Sequence, residues 1–161
     1  MLSSRLLLTA VSSSPLWVNA MAILSTERIQ VQASAEDKSD AIRKAGALLV
    51  KSGCVKPAYI DGMLARERTM STYLGNGVAI PHGEFENRDD ILTTGISVLQ
   101  VPDGVPWEDD ELAYLIIGIA ASSDEHVGVL SKLADVIEDE EMTQMLIQTT
   151  DPNIILSALR E

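Results

Sequence analysis

The stretch LAYLIIGIAA, residues 112–121, decides the fold. It is apolar apart from one glycine and does not alternate with polar residues. A short run of this kind reads as a strand covered on both faces, the central position of a sheet with helices on either side. It falls well short of the ~20 residues a membrane-spanning helix needs, so no direct insertion into a membrane is expected.

Working outward, ILTTGISVLQV (91–101) is a second strand candidate, with Gly95 marking a bulge or a close approach. GVAIPH (77–82) is a third, ending at Pro81. Residues 29–31 are a fourth, short one. Between the two long strands, PDGVPWEDDE (102–111) is rich in turn formers, and Asp103-Gly104 is expected to close a hairpin there.

Helical periodicity occupies the flanks. In EDKSDAIRKAGALLVKSG (36–53), Asp37 is the expected N-cap and Ala41, Ile42, Ala45, Leu48 and Leu49 form one stripe, with Gly53 past the last turn. PAYIDGMLARER (57–68) starts on Pro57, faces Tyr59, Ile60, Met63 and Leu64 inward, and carries Arg66 and Arg68 near its end. DEHVGVLSKLADVIED (124–139), with Ser123 or Asp124 as cap, EEMTQMLIQT (140–149) and DPNIILSALRE (151–161) complete the chain. Helices, strands, then helices predict an α/β fold: a mixed β-sheet sandwiched between two helical layers.

The 161 residues suit one domain. MAILSTERIQVQ, from Met21, already reads as the start of that domain, so residues 22–161 are its expected extent. Residues 1–21 are expected to be a disordered or non-native extension; their match to a secretory signal is weak. The net charge of −12 argues against nucleic acid as the main partner. That charge is uneven: residues 1–83 hold 9 basic against 6 acidic residues, and residues 84–161 hold 3 against 18. Such a distribution is a solvated acidic surface or one that steers a basic protein. The single cysteine, Cys54, excludes an intrachain disulfide and has no metal-ligand spacing around it.

Chemistry concentrates on two histidines. His82 follows Pro81, whose fixed φ and missing N–H make a rigid strand end, and precedes Gly83, which leaves room for a bulky group. Gly77 and Gly83 are expected to allow unusual backbone angles on either side. His126 stands at the start of the helix that follows the 112–121 strand. If the two strands are neighbours, both imidazoles reach one edge of the sheet. A held, neutral imidazole is a nucleophile, and a phosphoryl group is one target. Phosphoryl transfer needs donors around the equatorial oxygens, which a helix N-terminus and a cation such as Arg66 supply.

TYLGNGVAIPHG (72–83), GIAASSDEH (118–126) and MLARERTMSTYLG (63–75) resemble the enzyme IIA domains of bacterial sugar phosphotransferase systems, mannitol/fructose class. IRKAGALLVKSGCVKPAYIDGMLARE (42–67) is similar to the mannitol members in particular. The resemblance implies a three-layer fold and a cytoplasmic phosphocarrier. Its motif histidine, matching His82, takes phosphate from the phosphohistidine of HPr, usually on Nε2, and passes it to the cysteine of a cognate IIB component of the permease, for uptake of mannitol or a related sugar. His126 and Arg66 match the family's second histidine and its arginine. No metal or organic cofactor is expected. The nitrogen-regulatory relatives, which act by phosphorylation-dependent protein binding, share GNGxAIPHG and are the alternative. Many mannitol-type domains carry an acidic residue where this chain has Asn76; the other ring nitrogen of His82 is expected to be held by a backbone carbonyl or by Asn76, and Gly83 is expected at the phosphate. Residues 101–111 form a slightly shorter loop than usual, and Cys54 does not match a IIB cysteine loop, so the acceptor is another chain.

Overall fold

The computed structural model describes residues 23–121 and 123–160, with residues 123–127 given by their backbone alone. The expected extension, residues 1–21, lies outside the described residues. Five strands form one mixed sheet: β1 (Ile29–Gln30), β2 (Tyr73–Gly75), β3 (Val78–Ala79), β4 (Gly95–Glu108) and β5 (Glu111–Ala120), in the spatial order β1-β4-β5-β3-β2. β4 and β5 pair antiparallel, whereas β1 runs parallel to β4 and β3 parallel to β5. Helices α1 (Lys38–Lys51) and α2 (Ala58–Thr69) precede most of the sheet; α3 (Ser123–Glu138), α4 (Glu140–Gln148) and α5 (Pro152–Arg160) follow it.

The helices start where local chemistry supplies caps. The Asp37 carboxylate accepts from the Asp40 amide at 2.8 Å, Asp139 accepts from Met142 at 3.0 Å, and Asp151 accepts from Asn153 at 2.9 Å. Pro57 sits one residue before α2 with φ −53°, already helical. The residue before α3 lies outside the described residues; the expected caps, Ser123 or Asp124, are already helical in backbone, and their side chains lie outside the described residues.

The two faces of β4 and β5 separate by parity, as the pleat requires. Leu99 and Ile116 pack with Ala41, Ile42, Ala45 and Leu49 of α1 and with Tyr59 and Met63 of α2. Val98, Leu115 and Ile117 pack with Leu133 and Ile137 of α3, Leu146 of α4 and Ile155 of α5. Both faces are therefore buried, which is why residues 112–121 show no polar alternation. Ile116 is fully buried on the first face. Ile116→Val is expected to lower stability by about 0.5–1.5 kcal/mol, read from the urea midpoint at constant slope.

Two expectations about the β4 region are corrected. The hairpin does not close at Asp103-Gly104. Gly104 takes φ +82° inside β4, where the register shifts between Gln100 and Val105. The strand then continues, pairing Val105 with Ala113 and burying Trp107, and the turn comes at Asp109-Asp110, with Asp109 at φ +51°. Residues 102–108 are thus strand and not loop. Pro102 and Pro106 are tolerated because β1 covers β4 at Val98 and Leu99 and the Ala33 amide bonds the Gln100 carbonyl at 2.8 Å, leaving the strand beyond Gln100 an edge on that side. The second correction is at the start: β4 begins at Gly95, four residues later than Ile91. Among the described residues no helix is long and apolar enough to cross a membrane.

Candidate functional site

The site lies where β3 and β5 end together. Val78 pairs with Leu115 and Ala79 with Ile116, and after Pro81 the parallel ladder resumes once, between His82 and Ile119. The Ile119 amide donates to the Pro81 carbonyl at 3.0 Å. His82 is half-buried at this lip, and three residues beyond the end of β5 the chain starts α3.

The imidazole is held through Nδ1, which lies 2.8 Å from the Ile80 carbonyl oxygen. A carbonyl only accepts, so Nδ1 carries the proton and, in the neutral ring, the lone pair is on Nε2. The holding group is therefore the carbonyl of Ile80. Of the two expected holders the carbonyl is the one found, and the Asn76 alternative is corrected: Asn76 occupies the β2–β3 turn at φ +52°, and its side-chain amide donates to the Ile137 carbonyl at 2.9 Å, tying that turn to the last turn of α3.

The Ile80 carbonyl is itself fixed. The Ile80 amide donates to the Thr72 carbonyl at 3.0 Å. Thr72 is buried, and both its amide (3.1 Å) and its hydroxyl donate to the carboxylate of Glu67, near the end of α2. Glu67 is 6% exposed and also accepts from Trp107 Nε1 at 3.0 Å, with Lys38 Nζ at 3.6 Å. A buried carboxylate thus anchors Thr72, Thr72 anchors Ile80, and Ile80 orients the ring.

Gly83 is also corrected in part. Its backbone is not in the left-handed region, unlike Gly77 at φ +82°. Its amide donates to the Tyr59 hydroxyl at 2.9 Å, so that N–H is engaged by protein and not turned to an anion. A Cβ on Gly83 would stand 2.6 Å from the Tyr59 ring, so the bulky group beside it is Tyr59. Burial pushes the Tyr59 phenol above its ordinary pKa, with the Gly83 hydrogen bond working in the opposite direction.

Arg66 lies seven residues after Tyr59 on the same face of α2, about 10 Å along the axis. Its Nη1 donates to the Met70 carbonyl at 2.7 Å, closing the end of its own helix. The backbone of His126 is in the first turn of α3, which starts three residues after β5 ends; its side chain lies outside the described residues. The first-turn amides of α3 have no partner within the helix and favour an anion. Tyr59 is in the core, as its helical spacing predicts, whereas the roles of Glu67 and Thr72 are marked by no motif. One signal was present: Tyr59, Met63 and Glu67 recur at four-residue spacing, which puts a carboxylate on an apolar face.

Comparison with known proteins agrees with this fold. Residues 22–161 match the family model described as phosphoenolpyruvate-dependent sugar phosphotransferase system, EIIA 2. The chain is 50% identical over 127 residues to the multiphosphoryl transfer protein of Escherichia coli O157:H7, covering 79% of this chain and 34% of that protein. It therefore spans about a third of the length of that relative. It is 43% identical over 142 residues to the mannitol-specific phosphotransferase enzyme IIA component of Geobacillus stearothermophilus, covering 88% of this chain and 98% of the relative. Among solved structures, the complex of enzyme IIA-Mtl with phosphorylated enzyme IIB-Mtl from Escherichia coli superposes with a TM-score of 0.80 at 40% identity, covering 84% of this chain and 96% of that one.

Proposed function

We propose, because this chain belongs to the EIIA 2 family of the phosphoenolpyruvate-dependent sugar phosphotransferase system, that it carries a phosphoryl group on His82 between two protein partners. The donor is phospho-HPr and the acceptor is the cysteine of a cognate IIB component, serving uptake of mannitol or a related sugar. The mannitol-specific relative, matched over 98% of its own length, and the IIA-Mtl fold favour this branch over a nitrogen-regulatory role. Residues 22–161 are the unit that does this work, in the cytoplasm where such partners meet.

One observation carries the reading: the Nδ1–H bond to the Ile80 carbonyl, which leaves Nε2 as the nucleophile. In the first step Nε2 attacks phosphorus in line, the N–P bond of the donor breaks, and the donor imidazole leaves with the bonding pair. In the second, a IIB thiolate attacks the same phosphorus and the pair returns to Nε2. Both steps depend on positioning and on charge stabilisation at the three equatorial oxygens, supplied here by His126, the first turn of α3 and Arg66. Arg66 would leave Met70 to do so.

Incubation with phosphoenolpyruvate, enzyme I and HPr tests this. The expected result is a mass increase of one acid-labile phosphoryl group per chain; no increase refutes it. His126→Ala is expected to slow uptake by about 10²-fold without abolishing it, since it removes a stabilising donor and spares the nucleophile. Quench-flow with labelled phospho-HPr measures the difference.

A further inference from the structure

We propose that Tyr59 is a positioning residue for His82, its hydroxyl inserted where the β3–β5 ladder would otherwise close directly after the histidine. A parallel pair exchanges bonds on both sides of the bridged residue. At His82 and Ile119 one of these is regular, from the Ile119 amide to the Pro81 carbonyl at 3.0 Å. Its counterpart would run from the Gly83 amide to the Ile119 carbonyl. The Tyr59 hydroxyl stands between the two, accepting from Gly83 N at 2.9 Å and donating to Ile119 O at 2.8 Å.

The wedge is built from buried parts. Tyr59 is 2% exposed and held on α2 among Ile42, Met63 and Ala120. Gly83 lacks the Cβ that would strike its ring. The hydroxyl needs its proton to serve Ile119, and burial of the phenol keeps it protonated at neutral pH. The peptide after His82 is thereby linked to Ile119 through one oxygen atom. On the preceding side, Pro81 fixes φ and the Ile80 carbonyl holds Nδ1. The imidazole is restrained from both directions, and Tyr59 supplies the C-terminal restraint. Without the hydroxyl, the Gly83 amide is left to bond Ile119 directly, drawing His82 inward from the lip.

This inference rests on His82 being the phosphoryl acceptor. Tyr59→Phe in the full chain keeps the ring and removes the wedge. The expected result is a kcat for transfer from phospho-HPr lowered by about tenfold or more, with KM within about twofold of the parent. The ¹⁵N resonances of the His82 ring should shift in the same variant, reporting a changed Nδ1 environment. A lowered Tm with kcat and the His82 resonances unchanged overturns the proposal, because that is a packing role alone. If the parent takes up no phosphoryl group, the carrier reading fails. The ring resonances then decide Tyr59 alone: shifted in Tyr59→Phe they support the wedge, unshifted they refute it.

Discussion

His82→Gln is expected to take up no phosphoryl group from phospho-HPr while its circular dichroism and thermal transition stay close to those of the parent. A carboxamide reaches the same region and its N–H can donate to the Ile80 carbonyl, as Nδ1 does at 2.8 Å. It offers no basic nitrogen, because an amide lone pair is delocalised into its carbonyl. The loss is therefore of the nucleophile itself, and its size follows: deletion of a nucleophile that forms a covalent intermediate lowers kcat by roughly 10⁶-fold, against about 10² for one stabilising donor. The contrast with His126→Ala makes the pair informative. If the nucleophile were His126, the two rates would exchange places. Label retained by His82→Gln under conditions that label the parent sinks the assignment.

The strands that end at the site were legible because their burial is extreme. LAYLIIGIAA has no polar face, and β5 has none to spare: Ile116 meets α1 and α2, and Leu115 and Ile117 meet the helices opposite. The fixed approach to His82 was legible too, since Pro81 acts through local stereochemistry. Asp103-Gly104 was misread because a bulge and a hairpin ask for the same residues. Only the distant pairing of Val105 with Ala113 decides between them, and nothing within residues 102–105 records it. Asn76 failed for a related reason. Spacing along the chain puts it near His82 but does not say which way its amide points, and that was settled by Ile137, 61 residues away. Tyr59 reaches Gly83 across 24 residues and Ile119 across 60. Hydrogen bonds of that separation leave a trace in sequence only when the residue type is out of place, as Glu67 is.

Glu67→Ala is expected to cost about 3–5 kcal/mol of stability, the range found when one member of a buried charged network is deleted and its partners are stranded. The Coulombic share is the smaller part. Lys38 is 3.6 Å away with its side chain 34% exposed, so solvent screens that pair. What counts is the set of donors left behind: the Thr72 amide, its hydroxyl and Trp107 Nε1 all point at one buried carboxylate. Each unsatisfied buried donor costs about 1–3 kcal/mol. Glu67→Gln separates the two contributions, since it keeps an acceptor oxygen and the volume while losing the charge and turning an NH₂ toward one of the donors; about half the alanine effect is expected. Urea unfolding of both variants at constant slope measures this, and a loss below about 1 kcal/mol for alanine contradicts the network. Because Thr72 holds Ile80 and Ile80 holds the ring, the folded fraction of Glu67→Ala should also transfer phosphate more slowly than the parent. A folded variant with unaltered transfer would mean that the strand end keeps His82 in place without help from α2.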